Sequence, residues 1–178
     1  MRKYGVMLIG CGHIGAEHLD DIYYRPEFRV VAVVDWDPQR AQQFAQRYGV
    51  AHWGQDYRPF LAFSDIDIVI IATYADSHLP ILEDCLAAGK HVLCETPMVL
   101  KGEEAKELFA LAEEKGVILM EANKTAHCPA FNHLMVMIKS GVIGEVVDIE
   151  ASLSKLWNDQ KSLREFDPEQ AGGSLYEL

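Results

Sequence analysis

Apolar residues fall along the chain in short unbroken runs: Val6–Ile9, Val30–Val34, Ile68–Ala72, Val92–Cys94 and Val117–Met120. The runs are rich in β-branched residues and do not alternate with polar positions. Strands of that kind are buried on both faces, as in a parallel sheet. Between them the spacing turns helical. Ala41, Phe44, Ala45 and Tyr48 share one face and precede Gly49. Leu79, Leu82, Cys85 and Leu86 precede Gly89, and Ala105, Leu108, Leu111 and Ala112 precede Gly116. Each glycine stands where a helix commonly ends. A short third strand is expected before His52 and Trp53, which are expected to line a surface loop. Strand and helix in alternation predict an α/β fold, a doubly wound parallel sheet with helices on both faces.

The pattern changes after residue 122. Phe131, Leu134, Met135 and Ile138 predict one more amphipathic helix, with Pro129 in its first turn and Gly141 at its end. Val147, Ile149, Ala151 and Leu153 then alternate with Asp148, Glu150, Ser152 and Ser154. That period predicts a half-buried strand of an antiparallel sheet. Residues 1–122 are therefore expected to form one domain and 123–178 the first part of an incomplete α+β second domain. A strand at 145–155 with little chain left to cover it is a template for another copy, so a homo-oligomer is expected.

Composition narrows the class. The formal net charge is −11, which disfavours a nucleic-acid partner. No apolar run approaches the ~18–20 residues of a membrane span, so no membrane partner is expected. The apolar N-terminal run leads directly into a glycine loop and reads as a strand rather than a signal peptide. Cys11, Cys85, Cys94 and Cys128 contain no CxxC pair and suit reduced thiols in a cytoplasmic protein. No His, Cys or Asp spacing supports a metal site.

Candidate chemistry begins at the loop. "GCGHIG" occupies residues 10–15, after the first strand and before a helical pattern. Gly10 permits the tight turn, Gly12 lets backbone approach a pyrophosphate, and Gly15 lets the helix pack close to the strand. Asp35 ends the second strand, where a carboxylate can accept bonds from both ribose hydroxyls of a dinucleotide. With His13, Ile14 and Trp36, these are the expected cofactor contacts at this end. Asp35 would repel a 2′-phosphate, and Trp36, Asp37 and Pro38 supply no arginine, so NAD is expected over NADP. His18, on the first helix, reads as a packing or capping residue.

Two further clusters fall on the same sheet edge. Thr73 and Tyr74 end the fourth strand, beside the nicotinamide half of such a cofactor. Asp76 or Ser77 is expected to cap the next helix, with His78 in its first turn. Glu95, Thr96 and Pro97 follow the fifth strand, and Asn123 the sixth. Ligands of open α/β sheets bind at the carboxyl ends of strands. Thr73, Tyr74, His78, Glu95, Thr96 and Pro97 are therefore further cofactor-binding candidates.

The combination of "GCGHIG", "VVAVVDWDP", "ATYADSHLPI", "CLAAGKHVLCETPM" and "SGVIGEVVDIEAS" resembles the glucose–fructose oxidoreductase, inositol dehydrogenase and MocA-type oxidoreductases. The resemblance runs over essentially the whole chain. It implies a nicotinamide-binding Rossmann domain, a second domain on an open sheet, and hydride transfer to or from a carbinol carbon of a sugar, cyclitol or related compound. Two departures stand out. The family ends its fifth strand in Glu-Lys-Pro, and here the lysine position is Thr96. The family continues after a glycine pair with an aspartate and then a histidine. Here Glu177 stands at the aspartate position and Leu178 is last.

A threonine hydroxyl is a poor acid or base at neutral pH. Lys124, just past the sixth strand, is the expected replacement for the proton exchange, with His127 assisting. Glu177 joins them as a catalytic candidate. The alternative is a non-catalytic NAD-binding sensor or scaffold, or an inactive truncated fragment.

Overall fold

The computed structural model describes residues 2–152. Its centre is a six-stranded sheet. The strands are β1 (Tyr4–Ile9), β2 (Phe28–Val34), β3 (His52–Gly54), β4 (Ile68–Ile71), β5 (His91–Cys94) and β6 (Leu119–Glu121). They lie in the order β3-β2-β1-β4-β5-β6, and every neighbouring pair is parallel. Helix α1 (His13–Tyr23) joins β1 to β2, α2 (Pro38–Tyr48) joins β2 to β3, and α3 (Arg58–Leu61) lies between β3 and β4. Helices α4 (His78–Ala87) and α5 (Gly102–Lys115) complete the crossovers, and α6 (Lys124–His127) and α7 (Pro129–Lys139) follow the sheet.

Alternation along β1 divides the core into two layers. Val6 and Leu8 pack with Leu19, Ala45 and Tyr48 on the side of α1 and α2. Met7 and Ile9 pack with Leu82, Leu86, Leu108 and Ala112 on the side of α4 and α5. Each fully buried side chain of this size is worth roughly 1.5–3 kcal/mol relative to exposure. Two-sided burial is why the strands read as unbroken apolar runs.

Helix ends follow the punctuation. Asp37 caps α2, its carboxylate accepting the Gln39 N–H, and Pro38 occupies the first turn. Gly49 and Gly116 close α2 and α5 with φ of 64° and 65°. α7 starts at Pro129 and is followed by Gly141, whose φ is 73°. One polar side chain braces the far end of the sheet: Lys90 is buried and its Nζ donates to the Phe63 and Ile66 carbonyls, both at 2.9 Å.

Several expectations need correcting. His52 and Trp53 are not a loop after β3; they are β3, and the His52 ring packs edge-on to Phe63 at 5.1 Å. β6 starts two residues later than expected, because Val117 still gives its N–H to Ala112 at the end of α5. Neither Asp76 nor Ser77 caps α4 through its side chain. A 3-10 turn over Ala75–Ser77 intervenes, and the Ser77 hydroxyl reaches the Tyr74 carbonyl at 2.7 Å and Thr73 Oγ1 at 2.8 Å. The strand expected at 145–155 is not formed over 145–152; Val147 is 91% and Ile149 78% exposed. A half-buried strand needs a ladder and a covering layer, and the described residues supply neither. Leu153, Ser154 and Glu177 lie outside the described residues. Among the described residues no helix is long and apolar enough to cross a membrane.

Candidate cofactor site

The sheet order reverses direction between β1 and β4, and a cleft of about 880 Å³ opens above the carboxyl ends of these strands. That volume suits a cofactor or small-molecule site. β1 runs into it through Gly10, whose φ of +100° disfavours any other residue. A Cβ at Gly10 would stand 2.4 Å from the Ala72 carbonyl oxygen, and one at Gly15 2.1 Å from the Gly10 carbonyl oxygen. Gly15 therefore does what its spacing predicts: it presses α1 against the end of β1. Gly12 differs. A Cβ there would meet nothing within 4 Å. The loop turns its open, side-chain-free face to the cleft at the start of α1, where unpaired helix amides favour an anion.

Asp35 fastens this loop. It is 6% exposed; its Oδ2 accepts the Cys11 N–H at 2.8 Å and its Oδ1 the Asp37 N–H at 2.9 Å. A carboxylate offers about four lone-pair directions, so capacity remains for ligand hydroxyls. Arg40 lines the same end of the cleft, its Nε 3.6 Å from Asp37 Oδ2. Gln55 donates to the Trp36 carbonyl at 2.9 Å and brings β3 into the wall. The Cys11 thiol is pushed up to about 12, by burial first and by the neighbouring Asp35 second.

The other end of the cleft is the turn after β5. Thr73, Tyr74 and Ser77, after β4, form one lip there, and Glu95, Thr96 and Pro97, after the neighbouring β5, form the lip beside it. The Thr96–Pro97 peptide is cis. Three elements hold this turn. From α1, His18 Nε2 lies 2.7 Å from Glu95 Oε1. From β6, Glu121 Oε1 accepts the Met98 N–H at 2.8 Å. From α4, the His78 Nδ1 lies 3.0 Å from the Pro97 carbonyl oxygen. The His18 bond, outweighing burial, holds the Glu95 carboxyl below the usual carboxylate range. A charged carboxylate thus stands at the inner end of the cleft.

The fold brings Gly10, Gly12, His13, Ile14, Asp35, Trp36, Thr73, Tyr74, Glu95, Thr96 and Pro97 into the lining of one cleft. Gly15 supports the wall from behind. His78 is buried at 1% exposure and is not among the lining residues; its ring nitrogens lie beside the backbone carbonyls of Thr73 and Pro97, which are. Lys124 and His127 are exposed on α6 and are not part of the cleft wall. Their backbone neighbourhood is as expected: β6 pairs with β5 as far as Cys94 and Glu121, and the Ala122 N–H donates to the Cys94 carbonyl at 2.7 Å. Asn123 caps α6, accepting the Ala126 N–H, and is not on the wall either. Arg40, Gln55, Tyr57 and Asp76 were not expected there and are. Arg40 carried a readable signal, because it stands one turn into the helix that Asp37 caps. Among the described residues no group of three or more His, Cys, Asp or Glu side chains is placed to hold a metal ion.

Comparison with known proteins matches residues 4–123 to the family described as "Oxidoreductase family, NAD-binding Rossmann fold". The mouse trans-1,2-dihydrobenzene-1,2-diol dehydrogenase is 36% identical over 153 residues, which cover 85% of this chain and 45% of that protein. The dTDP-3,4-didehydro-2,6-dideoxy-alpha-D-glucose 3-reductase of Actinomadura kijaniata is 32% identical over 97% of this chain and 52% of its own length. A crystal structure of KijD10, a 3-ketoreductase from the same organism, with NADP and TDP-benzene, superposes with a TM-score of 0.88 at 31% identity, over 99% of this chain and 54% of that one. GenD2 from gentamicin A biosynthesis, in complex with NAD, gives a TM-score of 0.76 at 30% identity, over 80% of this chain and 40% of that one. The chain spans about half the length of the curated relatives it matches.

Proposed function

The chain belongs to the Gfo/Idh/MocA oxidoreductase family, and on that premise we propose that it forms the nicotinamide-binding part of a dehydrogenase or reductase acting on a sugar, cyclitol or related carbinol. The observation that carries the proposal is the cleft itself. Gly12 leaves its wall open beside the start of α1, Asp35 stands at one end, and the Glu95–Pro97 turn at the other. These residues fit a dinucleotide: free helix amides for the phosphates, a carboxylate for ribose hydroxyls and a two-lipped slot for the nicotinamide. When bound, the nicotinamide supplies the hydride-carrying carbon.

The chain's own residues bind, orient and exchange a proton. Asp35 would accept from the adenosine ribose hydroxyls with its remaining lone pairs, which favours NAD over NADP. Arg40 at the same end softens that preference. Thr96 lines the cleft, but its hydroxyl is a weak acid and base. Lys124, on the turn beside β5, is the candidate for proton exchange with the substrate oxygen, and His127 its companion. Residues 1–122 make the cofactor domain, and 123–178 begin the substrate domain. Exposed Val146, Val147 and Ile149 support association between copies through that region, which sedimentation at micromolar concentration would measure. Four free cysteines suit a reducing compartment such as the cytoplasm.

The test is a titration with NADH and NADPH by fluorescence, followed by turnover against a panel of sugars and cyclitols. Tighter binding of NADH, and a narrower difference in Asp35→Ala, are expected; reversed affinities would overturn the cofactor preference. Lys124→Ala, in a version of the chain that turns over, should lose activity at least tenfold with NADH affinity kept; survival within a few-fold removes Lys124 from the chemistry. Thr96 favours a second reading, a dinucleotide-binding protein without turnover. NADH binding with no oxidation or reduction of any panel member by a chain extended to the length of its relatives would select it.

A further inference from the structure

His78 is a fully buried titratable side chain beside the cleft that the proposed chemistry leaves without a task. Its ring is 1% exposed. Nδ1 lies 3.0 Å from the Pro97 carbonyl oxygen, and Nε2 lies 3.2 Å from the Thr73 carbonyl oxygen. Both partners are acceptors only. A neutral imidazole has one N–H and one lone pair, so one of these contacts would set a lone pair against a carbonyl oxygen. Only a ring carrying protons on both nitrogens satisfies both. Thr73, after β4, and Pro97, after the neighbouring β5, both line the end of the cleft read as the nicotinamide end.

We propose that His78 is a positioning residue whose ring, protonated on both nitrogens, ties the Thr73 lip to the neighbouring Pro97 lip and so fixes the spacing of the two turns that line the nicotinamide slot. The inference rests on the reading of that cleft as a nicotinamide site. A buried cation needs hydrogen bonds and a countercharge. The two carbonyls supply the bonds. Glu95, at the end of β5, supplies the charge: its carboxyl is held in the ionised form by His18 first, and His78 contributes in the same direction. Around this corner also lie His18 of α1, beyond Glu95, Glu121 of β6, which is engaged by the Met98 N–H, the buried Cys94 thiol, Tyr74 and the exposed Asp76 before α4.

The position of the ring has a consequence for pH. The tie exists while both nitrogens are protonated and is lost as pH rises and the ring gives up its second proton. Cofactor affinity should then fall on the alkaline side, with Glu95 ionised throughout.

Two measurements test this on the 178-residue chain. The first is the ring-nitrogen NMR spectrum of the ¹⁵N-labelled protein from pH 5 to 9. Both His78 nitrogens should show protonated shifts at pH 7; one unprotonated nitrogen at pH 7 overturns the proposal, whatever any variant does. The second is NADH titration of His78→Asn and the wild type across the same range. One lost charge-assisted bond weakens NADH by roughly tenfold or more, and the alkaline fall in affinity should vanish in the variant. Equal NADH affinities in folded variant and wild type overturn the proposal. A wild-type chain that binds neither NADH nor NADPH but shows the doubly protonated ring overturns the cofactor reading instead, and with it the slot, while the tie between the lips stands.

Discussion

Substituting Gly12 by alanine separates what the glycine loop does for the fold from what it does for a ligand. Gly12 has φ −91° and ψ −166°, a conformation open to any residue. The added methyl meets nothing within 4 Å. Stability should therefore hold, or rise by about 0.4–1 kcal/mol through the lost freedom of the unfolded chain. For a chain of this size that is a melting shift of roughly 1–4 °C. Binding should behave in the opposite way. The methyl projects into the space where a pyrophosphate would approach the backbone. Overpacking of that kind costs about 1–3 kcal/mol, or roughly 5- to 150-fold in affinity. Gly15→Ala is the contrast, because its methyl would stand 2.1 Å from a backbone oxygen that cannot swing aside. It should lower the melting temperature. Thermal melting and NADH fluorescence read the two quantities independently. A Gly12→Ala protein that binds NADH within twofold of wild type would refute the phosphate seat, and a Gly15→Ala protein that melts normally would refute the packing argument.

Three other outcomes follow from single side chains. Native alkylation at neutral pH should label Cys128 alone, because it is exposed and amides at the start of α7, first Phe131 and then Ala130, lower its thiol; burial pushes Cys11 and Cys85 up to about 12 and raises Cys94 as well, and comparable labelling of a second thiol by mass spectrometry would contradict this. Lys90→Met should cost about 1–3 kcal/mol in urea unfolding by stripping two interior carbonyls of their donor, and a change under about 0.5 kcal/mol, the scale of an ordinary surface substitution, would show the pair to be inert. Glu95 is depressed in the folded chain, so its contribution is present above its unfolded value of about 4.3 and is lost as pH falls through the folded value; removing His18 as His18→Ala should flatten the acid side of the stability curve, and parallel urea midpoints for the two proteins would sink the claim.

What could be read in advance was local. The strand runs, the helix faces and the closing glycines are each decided within a few residues by burial period and backbone freedom, and β1, β2, β4 and β5, helices α1, α2, α4, α5 and α7, and the closing glycines fall where those signals place them. The glycine loop and Asp35 were legible for a related reason: a tight turn, a close approach and a strand-ending acid leave marks at fixed offsets. The exceptions are instructive. Gly5 reads as an ordinary strand residue, yet a Cβ there would stand 1.7 Å from the Asp65 carbonyl oxygen. Nothing near Gly5 in the sequence says that the loop before β4 crosses it. The strand expected at 145–155 is absent over 145–152 for the opposite reason, since its period was right but a strand is not a local object; it forms only against a partner.

The turn after β5 shows where local reading stops. Its three supports come from far along the chain: His18 is 77 residues from Glu95, Glu121 is 23 from Met98, and His78 is 19 from Pro97. Any of the chain's acids is an equally good partner for His18 until the sheet order is known. Placing β4 between β1 and β5 is what selects Glu95, because the end of β5 then lies across the crevice from α1. The same logic explains Lys124. Parallel pairing of β5 with β6 correctly predicts which backbone lies beside Glu95, and the Ala122 to Cys94 hydrogen bond confirms the neighbourhood. Pairing fixes backbone position, whereas the direction of a long side chain past the strand end is set by the turn that follows. Here that turn is α6, capped by Asn123, and it carries the Lys124 side chain on an exposed surface. A lysine relocated by one strand keeps its address on the sheet edge but acquires a new exit vector. Proton exchange through it would require the α6 turn to present the ammonium toward the Thr96 lip, so the loss of turnover in Lys124→Ala measures a property of that turn as much as of the lysine.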